Sequence, residues 1–216
     1  MMDLIWGGEP LRLLPQKAAL LPERRMLLVA DAHLGKAVSF RRLGVPVPQG
    51  TTSDTLARLD GLVASHGVEH IVFLGDLLHS AHAHAPATQA AIGRWRDRHP
   101  RLALTLVRGN HDDRAGDPPP TLGIRCLDEP WALAGVALCH HPRAVPGRAV
   151  VAGHVHPGAW VGRGLDRMRL PCFHLHSGVA VLPAFGGFTG LHAVERVAGD
   201  RVIAVAEGRL FDVPGG

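Results

Sequence analysis

Two kinds of hydrophobic pattern alternate along the first half of the chain. Up to about residue 110, continuous apolar runs are separated by stretches in which apolar residues recur at helical spacing. The runs at 26–31, 69–76 and 102–110 predict buried strands. The stretches SDTLARLDGLVASHG, with a Ser or Thr cap, and PATQAAIGRWRDRHP predict the helices between them. This half therefore has the order βαβαβ, which is typical of a parallel sheet.

The second half of the chain lacks helical spacing. From about residue 122, short strand-like segments such as GVALCHH, RAVVAGH, RMRLPCFHLH and HAVERV alternate with Gly and Pro turns. At the N-terminus, residues 4–14 predict two short strands around a Gly-Gly-Glu-Pro turn. We therefore predict an α/β fold: a two-sheet sandwich with helices on the outside and a β-rich C-terminal half, in one domain over residues 1–216.

The composition indicates a cytoplasmic protein without membrane association. No apolar stretch reaches the ~18 residues that would span a bilayer. The N-terminal segment MMDLIWGGEPLRL lacks the basic flank and apolar core of a secretory signal. The three cysteines show no paired spacing, which favours reduced thiols over a disulfide framework.

The net charge and the histidine content indicate candidate binding partners. The formal net charge is +4 and the isoelectric point about 9.6, which suits a polyanionic partner but is shared by many ordinary enzymes. The chain has 15 His and no Tyr. Metal binding is the first explanation for such an enrichment.

Side chains that bind metals follow the strand-like runs. The first three runs end in DAH, GD and GNH, and the second half contains CHH and GHVH. Loops at the carboxyl ends of strands in an open α/β sheet meet in one crevice, so these residues are expected at a single site. The predicted ligands are Asp31, His33, Asp76, Asn110, His140, His154 and His156.

This set fits two divalent ions, because imidazoles and carboxylates suit Mn, Fe or Zn and a carboxylate can bridge two ions. Two ions ~3.5–4 Å apart can generate a hydroxide and clamp an in-line displacement at phosphorus. Asp76 is the bridging candidate. Asp31, His33 and His156 would complete one ion, and Asn110, His140 and His154 the other.

Neighbouring residues are candidates for proton transfer. His111 follows Asn110 directly and is expected to protonate the leaving oxygen, with Asp112 or Asp113 holding its ring. His79, three residues after Asp76, is a further catalytic candidate on the resemblance described below, which implies a place near the leaving group; a histidine that caps a loop is the alternative. His140 is favoured over His141 as the ligand because it is nearer to its strand.

Other residues are candidates for substrate contact or for simple structure. Phosphates would meet basic side chains near the motifs, although each could be an ordinary surface charge: Lys36, Arg41, Arg42 and Arg108. Bases would stack on aromatic side chains, for which core packing is the alternative: Phe40, Trp160, Phe185 and Phe188. Two further histidine pairs are assigned to an exposed loop and to the strand framework: His82 with His84, and His174 with His176.

The ordered set D-x-H, G-D, G-N-H-D, H and G-H-x-H resembles the calcineurin-like metallophosphoesterase superfamily. DAHLGKAVSFRRLGVPVPQGTT, GDLLHS, LPCF and VLPAFGGFTG further resemble the ligase-associated DNA damage response endonucleases of bacteria. This resemblance implies a two-sheet α/β sandwich of the calcineurin-like metallophosphoesterase type. It also implies a Mn-dependent phosphodiesterase that nicks single-stranded DNA, encoded beside a DNA ligase, an exonuclease and a helicase.

Two other functions remain open. A small-molecule phosphodiesterase acting on cyclic nucleotides or nucleotide pyrophosphates would have the same metal site. A closed pocket would favour that activity, whereas an open groove lined by Lys and Arg would favour a nuclease. An inactive interaction scaffold is the third reading, but such scaffolds usually lose ligands, and this chain has the whole set.

Overall fold

The computed structural model describes residues 1–37, 40, 44, 51–78, 85–187 and 189–215, with the backbone alone for 113–115 and 165. The helices are α1 (Thr51–His66), α2 (Pro86–Arg98) and α3 (Asn110–Ala115), with short 3-10 turns at Pro22–Arg24, Pro120–Leu122 and Gly164–Asp166. The strands are β1 (Met2–Trp6), β2 (Glu9–Leu14), β3 (Ala18–Leu21), β4 (Met26–Ala30), β5 (His70–Leu74), β6 (Ala103–Val107), β7 (Ile124–Leu127), β8 (Trp131–Leu133), β9 (Val136–Leu138), β10 (Ala149–Ala152), β11 (Pro157–Val161), β12 (Met168–His176), β13 (Val179–Val181), β14 (His192–Ala193), β15 (Arg201–Ala206) and β16 (Arg209–Asp212).

The first sheet contains β1 to β7 in chain order. β1 to β4 pair antiparallel through short turns, whereas β4 to β7 pair parallel. A parallel pair needs a crossover connection, and α1 and α2 lie in the connections between β4, β5 and β6. The predicted βαβαβ order is confirmed.

The second sheet is built from the later part of the chain, with the order β14-β11-β12-β13-β10-β9-β8. β15 pairs with β12 on one side and with β16 on the other. β10 pairs parallel with β9 and β13, and β11 pairs parallel with β14. The antiparallel pairs are β11–β12, β12–β13, β12–β15, β15–β16 and β8–β9. The β-rich C-terminal half and the two-sheet α/β sandwich are both confirmed.

The main core lies between the two sheets. Along β4, Leu28 and Ala30 face the second sheet, whereas Leu27 and Val29 pack on the opposite side. This alternation is the period of two expected for a strand. It explains why the buried strands of the first sheet are continuous apolar runs, since both of their faces are covered.

Helices cover the first sheet only, among the elements described. Leu59 of α1 and Trp95 of α2 belong to the cluster on the outer face of that sheet. Because β4, β5 and β6 follow one another in one direction, right-handed crossovers place both helices on the same face. The expectation of helices on the outside therefore holds for one sheet. None of the described helices is long and apolar enough to cross a membrane.

Candidate metal centre

The candidate centre lies where strands of both sheets end. Asp31, which follows β4, accepts a hydrogen bond from the backbone N–H of His154, which follows β10 (2.9 Å). Leu74, the last residue of β5, accepts one from Nδ1 of His140, which follows β9 (3.0 Å). The sandwich thus joins strand ends that lie far apart in the sequence. It brings all the predicted ligands together: Asp31, His33, Asp76, Asn110, His140, His154 and His156.

One donor group consists of Asp31, His33 and His156. Nε2 of His156 lies 3.5 Å from Oδ1 of Asp31 and 3.2 Å from Nε2 of His33. Ligand atoms that share an ion at about 2.1 Å lie about 3–3.5 Å from one another. These three side chains therefore have the spacing of a common ion.

A second donor group consists of Asn110, His140 and His154. Nε2 of His140 lies 3.0 Å from Oδ1 of Asn110 and 3.0 Å from Nδ1 of His154. Asp76 lies between the two groups, with Oδ1 3.5 Å from Nε2 of His140 and Oδ2 4.0 Å from Nε2 of His33. Its carboxylate thus presents one oxygen to each group, as a bridging ligand requires.

The two adjacent histidines differ in orientation. His140 is fully buried, and its Nδ1–H donates to Leu74, which leaves the lone pair of Nε2 for an ion. His141 stands at the rim, with its ring Nδ1 2.9 Å from Glu129. This geometry favours His140 as the ligand. Partial desolvation of its ring and the neighbouring His140 and His141 lower the pKa of His154, which favours the neutral imidazole that binds metal.

The residues fit a divalent pair by an independent criterion. Asp31 is fully buried, and no hydrogen-bond donor among the described residues reaches its Oδ1. A buried carboxylate oxygen without a partner is costly unless a cation neutralises it. With neutral imidazoles, Asp31 and Asp76 give the donor set two negative charges, which divalent ions would neutralise.

Three candidate ligands directly follow a glycine at which neighbouring atoms leave no room for a Cβ. A Cβ on Gly75 would lie 2.0 Å from Nδ1 of His140, and one on Gly109 would lie 2.6 Å from Oδ1 of Asp76. At Gly153 the distance to Oδ2 of Asp31 would be 2.7 Å. The glycines of the G-D, G-N-H and G-H-x-H motifs therefore serve the close packing of one ligand loop against the next.

The backbone of the ligand loops is itself unusual. The candidate ligands in the left-handed region are Asp31, His33, Asp76, His154 and His156, with φ from 46° to 71°. Non-glycine residues seldom adopt this conformation, and each costs about 1–3 kcal/mol unless the surroundings enforce it. Such strain clusters at functional sites, where it aims side chains that an ordinary strand end would point elsewhere.

His111 faces the centre from the solvent side. Its Nε2 lies 3.8 Å from Oδ2 of Asp76, and its ring meets that of His33 edge-on at 5.5 Å between centroids. A third of its side chain is exposed. This position, beside the donor groups rather than within them, suits a residue that exchanges a proton with a substrate.

Asp112 does not hold the ring of His111 in the way the sequence suggested. Its buried carboxylate accepts backbone N–H bonds from Asp76 (2.7 Å), Gly109 (3.0 Å), Leu77 (3.0 Å) and Leu78 (3.3 Å). Burial raises its pKa to about 6, although these donors oppose the shift. Asp112 is thus a positioning residue that ties two ligand loops together. The side chain of Asp113 lies outside the described residues.

Glu129 is a positioning residue that the sequence analysis missed. Its Oε2 accepts the backbone N–H groups of His140 (2.6 Å) and His141 (2.9 Å). Its Oε1 accepts bonds from the ring of His141 (2.9 Å) and from Arg143 (2.8 Å). Burial acts to raise the pKa of Glu129, but these donors outweigh it and lower the pKa. Glu129 lies 11 residues before His140, and no motif marks it.

Phe185 cannot stack on a base as predicted. It is fully buried, and the guanidinium of Arg58 covers its ring at 4.0 Å. Its backbone N–H donates to the carbonyl oxygen of Ala30 (2.8 Å), and the backbone N–H of Gly186 donates to the carbonyl oxygen of Asp31 (3.0 Å). Phe185 therefore anchors the segment that runs beneath the first ligand loop, which is the structural reason for part of the LPAFGG motif.

The basic candidates have different surroundings. Arg108 forms ion pairs with Asp117 (2.7 Å) and Asp128 (2.7 Å), which favours the surface-charge alternative over a contact with phosphate. Lys36 lines a cleft beside His33. Several predicted residues lie outside the described part of the chain: Arg41, Arg42, His79, His82, His84 and Phe188.

An α/β sandwich that carries such a centre at the carboxyl ends of its strands has the architecture of a metal-dependent phosphoesterase. The chain belongs to the calcineurin-like phosphoesterase family, whose pattern matches residues 24–136. The nuclease MPE of Pseudomonas putida is a structural neighbour with 44% sequence identity and a TM-score of 0.88, over 98% of this chain and 99% of that one. This likeness agrees with the resemblance to the ligase-associated endonucleases.

A second solved structure is more distant. The phosphoesterase Yfce from E. coli is 16% identical, with a TM-score of 0.43 over 87% of this chain and 97% of that one. A comparison with curated protein sequences found no match.

Proposed function

We propose that this protein is a Mn-dependent phosphodiesterase that cuts single-stranded DNA at internal sites. The observation that carries the proposal is the carboxylate of Asp76, which presents one oxygen to each of two complete donor groups. The similarity to the Pseudomonas putida nuclease MPE over nearly the whole chain supports DNA as the substrate. Iron or zinc would also suit this donor set of imidazoles and carboxylates.

The residues divide the chemistry between them. Asp31, His33 and His156 would hold one ion, Asn110, His140 and His154 the other, and Asp76 both. When bound, the ions would supply electrophilic stabilisation of the phosphate and acidify a water molecule. His111, at the open side, would donate its ring proton to the leaving oxygen. Asp112 and Glu129 would keep the ligand loops in place.

The surroundings of the centre suit a polymer. Among the described residues, His154 is exposed and His111 partly so, an arrangement that suits the phosphate of a long chain. Lys36 and Phe40 lie beside His33, with Nζ of Lys36 5.8 Å from the centroid of the Phe40 ring. An ammonium group and an aromatic face suit a backbone phosphate and an unpaired base. Burial lowers the pKa of Lys36.

The wider setting is also a proposal. The ligase-associated resemblance supports a role in DNA repair, in functional association with a DNA ligase, an exonuclease and a helicase in the cytoplasm. The free thiols of Cys126, Cys139 and Cys172 are compatible with a reducing compartment. The continuous core between the sheets supports a single domain over residues 1–216.

Incubation of circular single-stranded DNA with the protein and Mn²⁺ tests the proposal, because a circle has no ends and any linear product reports internal cutting. We expect wild type to linearise and then degrade the circle, and Asp76→Ala and His111→Ala to fail. His192→Gln, at an exposed histidine on β14, is the matched control and retains activity. If wild type leaves the circle intact but hydrolyses a cyclic nucleotide, the small-molecule reading replaces this one. If it hydrolyses neither substrate, the hypothesis of an inactive interaction scaffold replaces this one.

A further inference from the structure

A second cluster of histidine and carboxylate lies on the outer face of the second sheet. His174 and His176 lie on β12, and Asp200 directly precedes β15. Nε2 of His174 lies 2.8 Å from Oδ2 of Asp200, and Nδ1 of His176 lies 2.5 Å from Oδ1. The cluster shares no residue with the candidate metal centre.

The strand pattern places both histidines on one face. Along β12, Phe173 and Leu175 point into the core between the sheets, so His174 and His176 project from the opposite side. Sequence spacing alone assigned the pair to the strand framework, because the predicted metal site had enough ligands without it. What the spacing could not show is the third side chain, Asp200, which lies 24 residues beyond His176.

Asp200 is held in position without help from the histidines. The backbone N–H of Val197 donates to its Oδ2 (3.1 Å), and its own N–H donates to the carbonyl of Val197 (3.1 Å). Only 2% of its side chain is exposed, against 17% for His174 and 43% for His176. The carboxylate is therefore a preformed, sheltered negative charge, and solvent reaches the cluster from the side of His176.

We infer that His174, His176 and Asp200 form a further binding site for one divalent metal ion, such as Zn²⁺. Two imidazoles and one carboxylate on a common face are a recurrent donor set for such ions, with the remaining positions left for water. The three donor atoms lie within 4.8 Å of one another, as do those of the Asp31, His33 and His156 group. The two histidines are fixed on a strand and Asp200 on a hydrogen-bonded turn, so the three side chains are held together more firmly than in a chance surface contact.

The site would have a structural effect. It connects β12 to the turn at 197–200, at the place where β12 pairs with β15 through Leu175 and Arg201. An ion bound to the folded state alone stabilises that state in proportion to the logarithm of its concentration above Kd. Zinc at this site would therefore stabilise the outer part of the second sheet independently of hydrolysis.

The number of zinc ions bound per chain tests the site, and this result does not depend on the proposed hydrolytic activity. The full chain is stripped with a chelator, loaded with Zn²⁺, passed through a desalting column and analysed for zinc per chain. We expect one zinc ion fewer in His174→Gln/His176→Gln and in Asp200→Asn than in wild type, whereas the exposed-histidine control His192→Gln matches wild type. Mn-dependent hydrolysis is expected to be the same in all four proteins.

Thermal unfolding gives a second measurement. In the Asp76→Ala background, which disables the candidate centre, Zn²⁺ is expected to raise Tm, and Asp200→Asn is expected to abolish that rise. Equal zinc content in wild type and both cluster variants would overturn the inference and leave a hydrogen-bonded His–Asp–His cluster. If Asp200→Asn does not fold, His176→Gln alone decides, because that side chain is nearly half exposed.

Discussion

Gly75 and His140 pack so closely that a Cβ atom on Gly75 would lie 2.0 Å from Nδ1 of the imidazole. Gly75 also has a φ of +74°, which disfavours any L side chain. The contact holds the ring of His140 where its Nδ1–H reaches Leu74 and its Nε2 faces Asn110 and Asp76. The glycine before one candidate ligand, Asp76 of the first sheet, thus sets the position of another, His140 of the second sheet.

Gly75→Ala is therefore expected to damage both fold and site. The left-handed backbone and the clash together predict a loss of about 2–4 kcal/mol in the free energy of unfolding, measured by urea denaturation. Metal content is expected to fall because His140 must move. Gly61→Ala is the control, since Gly61 lies in α1 with nothing near its Cβ position. That change is expected to be neutral or stabilising by about 0.5–1 kcal/mol. Equal stability of the two variants would contradict the packing argument.

His111→Ala is expected to lower kcat on DNA by about 10²–10⁴-fold, as loss of a general acid does. The loss on a bis-p-nitrophenyl phosphate substrate is expected to be much smaller, because p-nitrophenolate leaves without a proton. Metal content serves as the control and is expected to match wild type. Equal losses on both substrates would instead assign His111 to substrate or metal binding.

Glu129→Gln is expected to weaken metal binding by about 10–100-fold at the group that contains His140, as removal of an outer hydrogen-bond partner does. The amide replaces one of the two oxygens that accept N–H bonds from His140, His141 and Arg143. Arg143→Ala is the control, because it removes an exposed donor from the same carboxylate. Titration of both variants with Mn²⁺ measures the difference in their metal affinity. A matching affinity in Glu129→Gln and Arg143→Ala would show that Glu129 does not position the ligands.

Phe185→Ala is expected to reduce the free energy of unfolding by about 3–5 kcal/mol, as removal of a buried aromatic ring does. Trp160→Ala is the contrast. Trp160 is 44% exposed, with Arg167 and Arg169 over its ring, and its loss is expected to cost less than about 1 kcal/mol. Chemical denaturation of both variants measures the difference. A stable Phe185→Ala protein with a raised KM for DNA would restore the base-stacking prediction.

Acid pH is expected to weaken the link between the two long helices. Burial acts to raise the pKa of Asp60 in α1, but hydrogen bonds from His99 and Arg98 outweigh it and lower the pKa below its usual value near 3.8. The ionised carboxylate therefore stabilises the fold above about pH 4, and this contribution is lost as the pH falls through the lowered pKa.

The comparison of wild type with Asp60→Asn measures this effect. The difference in free energy of unfolding is expected to be constant from about pH 5 to 6 and to narrow below about pH 4. Asp97→Asn, at an exposed carboxylate of α2, is the control and is expected to show a small difference throughout. A difference for Asp60→Asn that does not change between pH 5 and 3 would count against the pairing with His99 and Arg98.

Much of the centre was predictable because its signals are local. Apolar runs and helical spacing indicated β4, α1, β5, α2 and β6. Parallel strands end at one edge, so the residues that follow them had to meet there. The family motifs add only a few residues to each strand end, and those residues include the candidate ligands. The preference for His140 over His141 as a candidate ligand used its position nearer the strand, and the ring of His140 is fully buried.

The sequence by itself indicated β4, β5, β6, α1 and α2 and the candidate donor side chains, because periodicity and turn chemistry act over a few residues. Only the tertiary structure decided which oxygen of Asp76 faces which group, that Phe185 is buried beneath a ligand loop, and that Glu129 and Asp112 hold those loops. The same holds for the meeting of Asp200 with His174 and His176. Such contacts depend on the relative placement of whole sheets, and no local pattern in a single chain records that placement.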